Sequence, residues 1–136
     1  MREERHLETL NEVLDEIAVA LKDSRGLVAH QRRLAFSLSL GTATLIELYF
    51  HRQKIIKEGS KINHEWFKRK KENVLLQLQQ QVISPLSAFP EFAEILALAI
   101  KIEEKRDDLA YGAPASEKIL QEKINLFFKL KELVKC

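Results

Sequence analysis

Cysteine, glycine, proline and long apolar runs are all scarce in this chain, and each shortage excludes something. The one cysteine, Cys136, allows neither a disulfide within the chain nor a cysteine-built metal cage. A reducing, cytoplasmic setting is therefore expected, with an exposed thiol at Cys136 able to cross-link two chains in air. Four glycines and three prolines are too few for a turn-rich all-β sandwich. The longest uncharged stretch, Leu34 to Ile46, spans 13 residues and contains Ser37, Ser39, Gly41, Thr42 and Thr44. A membrane-spanning helix needs about 20 apolar residues, so this segment reads as a core helix. Met1 to His6 is charged and no apolar core follows, so neither a secretory signal nor a membrane partner is expected.

What is present is helix-forming. Leu, Lys, Glu and Ala dominate, and 46% hydrophobic with 31% charged residues is the balance of a globular protein, not of a disordered tail. The length, residues 1–136, suits one helical-bundle domain. Leu7, Leu10, Val13, Leu14, Ile17 and Leu21 recur at three- and four-residue spacing and predict a first helix from about Glu3 to Lys22. Asp23-Ser24-Arg25-Gly26 stops it. A longer second helix is expected from about Leu27 to Ile56, apolar on nearly every side. Its row of small residues, Ser37, Gly41 and Thr44, permits close approach of another helix, within the fold or across a dimer.

A third helix from Asn63 to Gln80 takes Asn63 as its N-cap. A fourth begins near Pro90, carries Phe92, Ile95, Leu96, Ala99 and Ile102, and ends at Gly112. Ser116 caps a fifth bearing Leu120, Ile124, Phe127, Phe128, Leu130 and Val134. No strand pattern emerges. The expected fold is all-α, an up-and-down bundle of four to five helices.

Charge is uneven along this scaffold. Between Arg52 and Glu72 lie eight basic and three acidic residues, against 14 and 17 elsewhere. Lys68-Arg69-Lys70-Lys71, preceded by Trp66-Phe67 and by Arg52, is a candidate nucleic-acid surface: clustered cations release counterions from a polyanion, and an exposed aromatic stacks on a base. The plainer reading is a solvated helix face with Trp66 and Phe67 anchored in the core.

The second candidate is Arg106. Continuing the stripe Ile95, Ala99, Ile102 by four residues reaches Arg106, which places a guanidinium where core residues point. Such a cation needs a buried partner or a ligand. The partner would be Glu47, the lone charge in the apolar middle of the second helix; the ligand would be a carboxylate or phosphate, which the planar fork suits. Asp107 and Asp108 would lie near a helix C-terminus, where the macrodipole disfavours them.

A bundle with a long apolar second helix, a penultimate helix ending in Arg-Asn/Asp-x-x-x-His, a short turn and an apolar last helix resembles the HEPN superfamily. The segment Glu104-Lys105-Arg106-Asp107-Asp108-Leu109-Ala110-Tyr111-Gly112, followed by Ser116 to Val134, carries that layout over about 30 residues. The resemblance implies a homodimer whose motifs meet in a cleft, with Arg106 on phosphate and Asp107 as its polar neighbour. In active members that cleft cuts RNA without a metal; other members partner minimal nucleotidyltransferases in toxin–antitoxin-like pairs. Tyr111 departs from the pattern, standing where the histidine belongs. A histidine titrates near 6.5 and a tyrosine near 10, so Tyr111 is a poor general base at neutral pH, though its hydroxyl can still bond a phosphate. Of His6, His30, His51 and His64, all on other elements, His51 is the first candidate to replace the missing one.

Other chemistry is set aside. The glycines are scattered, so there is no phosphate-cradling loop. No His-x-x-x-His pair offers metal ligands, and Ser37 and Ser39 lie inside a core helix. No cofactor is expected. Three functions remain open: an RNA- or nucleotide-binding HEPN-like dimer with weak or lost ribonuclease activity, a partner module for a nucleotidyltransferase, or a structural bundle in which Arg106 only pairs with Glu47.

Overall fold

A computed structural model of the chain describes residues 3–135; the expectations for Met1, Arg2 and Cys136 lie outside the described residues. The architecture is an all-α bundle. Its helices are α1 (Glu3–Lys22), α2 (Gln31–Arg52), α3 (Lys71–Gln79), α4 (Phe92–Glu103), α5 (Arg106–Tyr111) and α6 (Glu117–Val134). Short 3-10 turns at Leu27–His30, His64–Lys68 and Leu86–Ala88 lie between them. Among the described residues the only β pairing is an isolated antiparallel bridge between Ile56 and Val82. No helix of the described residues is long and apolar enough to cross a membrane.

α2 is the axis of the bundle, packed by α1, α6, α5 and α4. From Gly41 to Phe50 every residue on it is buried. Its small-residue row serves the fold: a Cβ placed on Gly41 would come within 2.6 Å of the Phe127 ring and 3.0 Å of Val13. Thr42 and Thr44 satisfy their hydroxyls by donating back to the carbonyls of Leu38 and Leu40.

Each expected helix is present, and three are shorter or interrupted for local reasons. α2 stops at Arg52, because Lys54 takes a left-handed conformation (φ 58°) and the chain turns out to pair with the Gln81–Ile83 segment. Asn63 accepts from the Glu65 amide as an N-cap, yet it caps only the 3-10 turn; extended Arg69 and Lys70 separate that turn from α3. The fourth expected helix breaks between α4 and α5. Lys105 is left-handed there (φ 59°), and Lys123 of α6 donates to the last free carbonyls of α4, those of Lys101 and Glu104.

That break changes the setting of the Arg106 segment. Arg106 opens α5 instead of closing a longer helix, and Asp107 and Asp108 fall in its first turn, where the dipole favours anions. The C-terminal side is pinned by Gln31. Its amide nitrogen donates to the carbonyls of Leu109 and Ala113, and its oxygen accepts from the Ala115 amide. Glu117 accepts from the Leu27 and Val28 amides in return. The α5–α6 connection is thus laced to the start of α2.

Candidate functional site

Arg106 does not pair with Glu47. Its guanidinium carbon lies 5.0 Å from the centre of the Phe36 ring, and Phe36 precedes Glu47 by eleven positions on α2. At 1.5 Å per residue that is about 16 Å along the helix axis. Glu47 is satisfied elsewhere: one oxygen lies 2.7 Å from His6 Nε2, and the other accepts from the Ile62 amide at 2.6 Å. The buried carboxylate joins α1, α2 and the following loop. It is a structural hub, and the expected Glu47–Arg106 pair is corrected to Glu47–His6.

Arg106 instead heads a polar cluster. Its Nη1 donates to Asp107 Oδ1 at 3.0 Å, while Lys68 holds Asp107 Oδ2 at 2.9 Å and Glu65 Oε2 at 3.3 Å. Lys68, then Arg106, hold the Asp107 carboxyl below the usual carboxylate range. Asp107 in turn raises Lys68. The Arg106 side chain is only 10% exposed, and among the described residues its Nε is buried with no hydrogen-bond partner. The face of Phe36 offsets part of that desolvation as a cation–π contact.

Behind Arg106 lies Glu103, near the end of α4 and 2% exposed. Among the described residues neither of its oxygens has a closely aligned hydrogen bond, the Ser39 hydroxyl being the neutral group that eases it. Burial pushes its carboxyl up to about 7, against the opposing pull of Ser39, Arg106, Lys68 and Lys123. His64, from the 3-10 turn that also carries Lys68, points Nδ1 toward Glu103 at 3.8 Å. Burial first, and Arg106 second, hold the His64 ring below its ordinary value. An open groove of about 250 Å³ runs alongside, bordered by Lys68, Arg69, Glu103 and Lys105.

The structure therefore brings Arg106, Asp107 and Lys68 together, adds Glu103 and Phe36, which the sequence did not single out, and makes His64, not the preferred His51, the histidine beside them. Glu103 had a readable signal. It lies four residues beyond Ala99 and seven beyond Leu96, on the buried stripe of α4. Phe36 and Leu40 are one helical turn apart and exposed, at 42% and 48%, on a helix that otherwise reads as core. Nothing in the spacing links His64 to Arg106; only tertiary folding does.

Other expected residues go elsewhere. His51 lies 5.0 Å from the His6 ring at the far end of α2, so it is not the histidine that joins Arg106. Arg52 binds Glu3 and the carbonyls of Val134 and Lys135, capping α6. Arg69, Lys70 and Lys71 are exposed. Phe67 is a core residue at 2% exposure and Trp66 packs against the core, as the plainer reading of that pair expected. Tyr111, 71% exposed, sets its ring edge-on to Phe36 at 6.0 Å. The exposed aromatics beside the site are thus Phe36 and Tyr111.

The arrangement can hold an anion between two cations and present a histidine to it. Comparison with protein-family models, with curated proteins and with solved structures finds no match.

Proposed function

We propose that this chain is a HEPN-like RNA-binding protein that takes a backbone phosphate at the Arg106–Lys68 edge. One observation carries the reading. Asp107 is held by Arg106 on one oxygen and by Lys68 on the other, so the motif arginine and the basic segment border the same edge. A phosphate can displace or share Asp107, whose exposed carboxylate acts as a stand-in anion. Arg69, Lys70 and Lys71 extend the cationic track. Phe36, Leu40 and Tyr111 form an exposed apolar face beside Arg106. In this reading a second copy of the chain covers that face and brings two Arg106 sites into one cleft. Cleavage through the motif's own histidine is lost at Tyr111.

The test is binding of a short single-stranded RNA across a salt series. Wild type binds with a steep salt dependence, and Arg106→Ala weakens binding at every salt concentration. Absence of binding at low salt, or Arg106→Ala binding like wild type, overturns the reading. Light scattering checks the dimer, and a monomer at micromolar concentration removes the composite cleft. The same exposed face would serve the alternative, a helical partner of a minimal nucleotidyltransferase. A face that binds such a protein and excludes self-association favours that alternative.

A further inference from the structure

We infer that His64, positioned by Glu103, is the catalytic proton-transfer residue of the Arg106 site, acting on the ribose 2′-hydroxyl of bound RNA. The inference rests on the RNA-binding reading above and goes beyond it. With tyrosine at the motif's histidine position, proton transfer has no assigned group. The structure supplies one from a different element.

The geometry is that of an oriented imidazole. His64 Nδ1 is buried and faces Glu103 Oε2 at 3.8 Å, while about a third of the side chain stays exposed. Nε2 lies on the side of Glu65 Oε1, at 4.0 Å. A carboxylate behind Nδ1 fixes the proton there and leaves the Nε2 lone pair for the substrate. The 3.8 Å separation is longer than a hydrogen bond, and such contacts often tighten only when substrate binds. Glu103 is buried beside the Ser39 hydroxyl, and among the described residues neither of its oxygens has a closely aligned hydrogen bond, which leaves the carboxylate free to turn to the imidazole. The two cations around the pair, Arg106 and Lys68, are the ones proposed to hold phosphate, so base and anchor share one site. Burial and Arg106 also keep the imidazole neutral at neutral pH, the form a base requires.

The step balances without a further reactant. His64 Nε2 takes the 2′-hydroxyl proton, and the 2′-oxygen bonds to the adjacent phosphorus while the bond from phosphorus to the 5′-oxygen breaks. The departing 5′-oxygen takes a proton from solvent, and the imidazolium returns its own to solvent. The products are a 2′,3′-cyclic phosphate and a 5′-hydroxyl end, with nothing oxidised or reduced. Arg106 carries the charge that develops on the phosphate oxygens.

Glu103 acts as a positioning residue, which gives it a signature of its own. Only its ionised form can accept the Nδ1 proton, so cleavage rises with pH through about 7. The groups facing His64 and Glu103 from neighbouring elements are Arg106, Asp107, Lys68, Glu65, Ser39 and Lys123. In Glu103→Gln the amide oxygen accepts at any pH, and the acid limb moves down to the titration of His64 itself.

The experiment uses the full chain with an end-labelled single-stranded RNA of mixed sequence, and measures binding and cleavage separately. Wild type is expected to yield cyclic-phosphate ends and to leave the all-2′-deoxy strand intact. His64→Gln should lose cleavage by roughly 10²–10⁴-fold with RNA affinity and melting temperature unchanged. Glu103→Gln should keep cleavage and shift its pH profile. If wild type binds RNA but does not cut it, or His64→Gln cuts like wild type, the inference is overturned while the binding reading stands. If wild type binds no RNA, both fail together.

Discussion

Two buried glutamates divide this molecule. Glu47 and Glu103 lie on helices of one bundle, and both residues are more than nine-tenths shielded from solvent. Glu47 has a partner on each oxygen, His6 and the Ile62 amide. Glu103, among the described residues, has no closely aligned hydrogen bond and only the Ser39 hydroxyl nearby to help it. A buried charge with its hydrogen bonds complete closes a structure, and removing it leaves the partners stranded. A buried carboxyl with few such bonds works against folding, and what eases it there is Ser39 first, then the field of Arg106, Lys68 and Lys123. The first glutamate completes a structural network; the second is a strained group of the kind that marks a candidate site.

Substitution of each acid should therefore act with opposite sign, which is the sharpest way to break the comparison. Glu47→Ala is expected to destabilise the fold by about 3 kcal/mol or more, because His6 and the Ile62 amide lose their acceptor inside the core. Chemical denaturation reads the effect, and a change near zero would remove Glu47 from its structural role. Glu103→Gln should stabilise. The carboxyl of Glu103 is raised from an ordinary 4.5 to about 7 in the folded chain. The folded state then holds a proton that the unfolded state has released, so stability falls as pH rises through this window. The penalty is absent below about 4.5 and complete above about 7, where it reaches up to about 3 kcal/mol. Melting of wild type and Glu103→Gln should coincide in acid and diverge in alkali, with the variant the more stable. Parallel curves would mean that Glu103 is not strained.

The sequence pattern reveals the helices of the bundle far better than the partners of either glutamate, for a physical reason. Heptad-like spacing in α1 and α6, the apolar middle of α2 and the N-cap at Ser116 depend on local geometry, and they appear in the structure as expected. The site depends on interruptions instead. Lys105 carries no glycine-like mark, yet it turns left-handed once Lys123 captures the end of α4. That single residue starts α5 at Arg106 and reverses the dipole felt by Asp107. Extended Arg69 and Lys70 likewise cut a helix that spacing alone would continue, leaving His64 and Lys68 on a short turn. Arg106 was legible as a cation out of place. Its neighbours were not, because they come from α2, α4 and the 64–68 turn.

A change in pH should sharpen the contrast in function as well. When Glu103 takes up a proton below about 7, the site loses one negative charge beside Arg106. His64, held below its usual range, adds a positive charge at lower pH still. RNA affinity should rise severalfold as pH falls through this window, while cleavage declines. In Glu103→Gln the first part of that rise should vanish. Glu47→Gln, distant from Arg106, should leave the pH dependence of binding unaltered. An affinity that follows the same pH curve in wild type and Glu103→Gln would separate Glu103 from the ligand.

The smallest effect on the fold belongs to Lys68. Its bonds to Asp107 and Glu65 are solvent-facing, and exposed ion pairs typically contribute about 1 kcal/mol or less. Lys68→Ala should therefore melt almost as wild type does. Its effect on RNA should be visible all the same: loss of one phosphate contact lowers the slope of log affinity against log salt by about 1. It should also release Asp107, whose carboxyl is held down chiefly by Lys68, and let it compete more strongly with phosphate for Arg106. Affinity would then fall further than one lost contact implies, and Lys68→Ala combined with Asp107→Asn would recover part of the loss. A Lys68→Ala chain that melts early but binds RNA with an unchanged salt slope would make the lysine a structural strut and separate the basic segment from the arginine site.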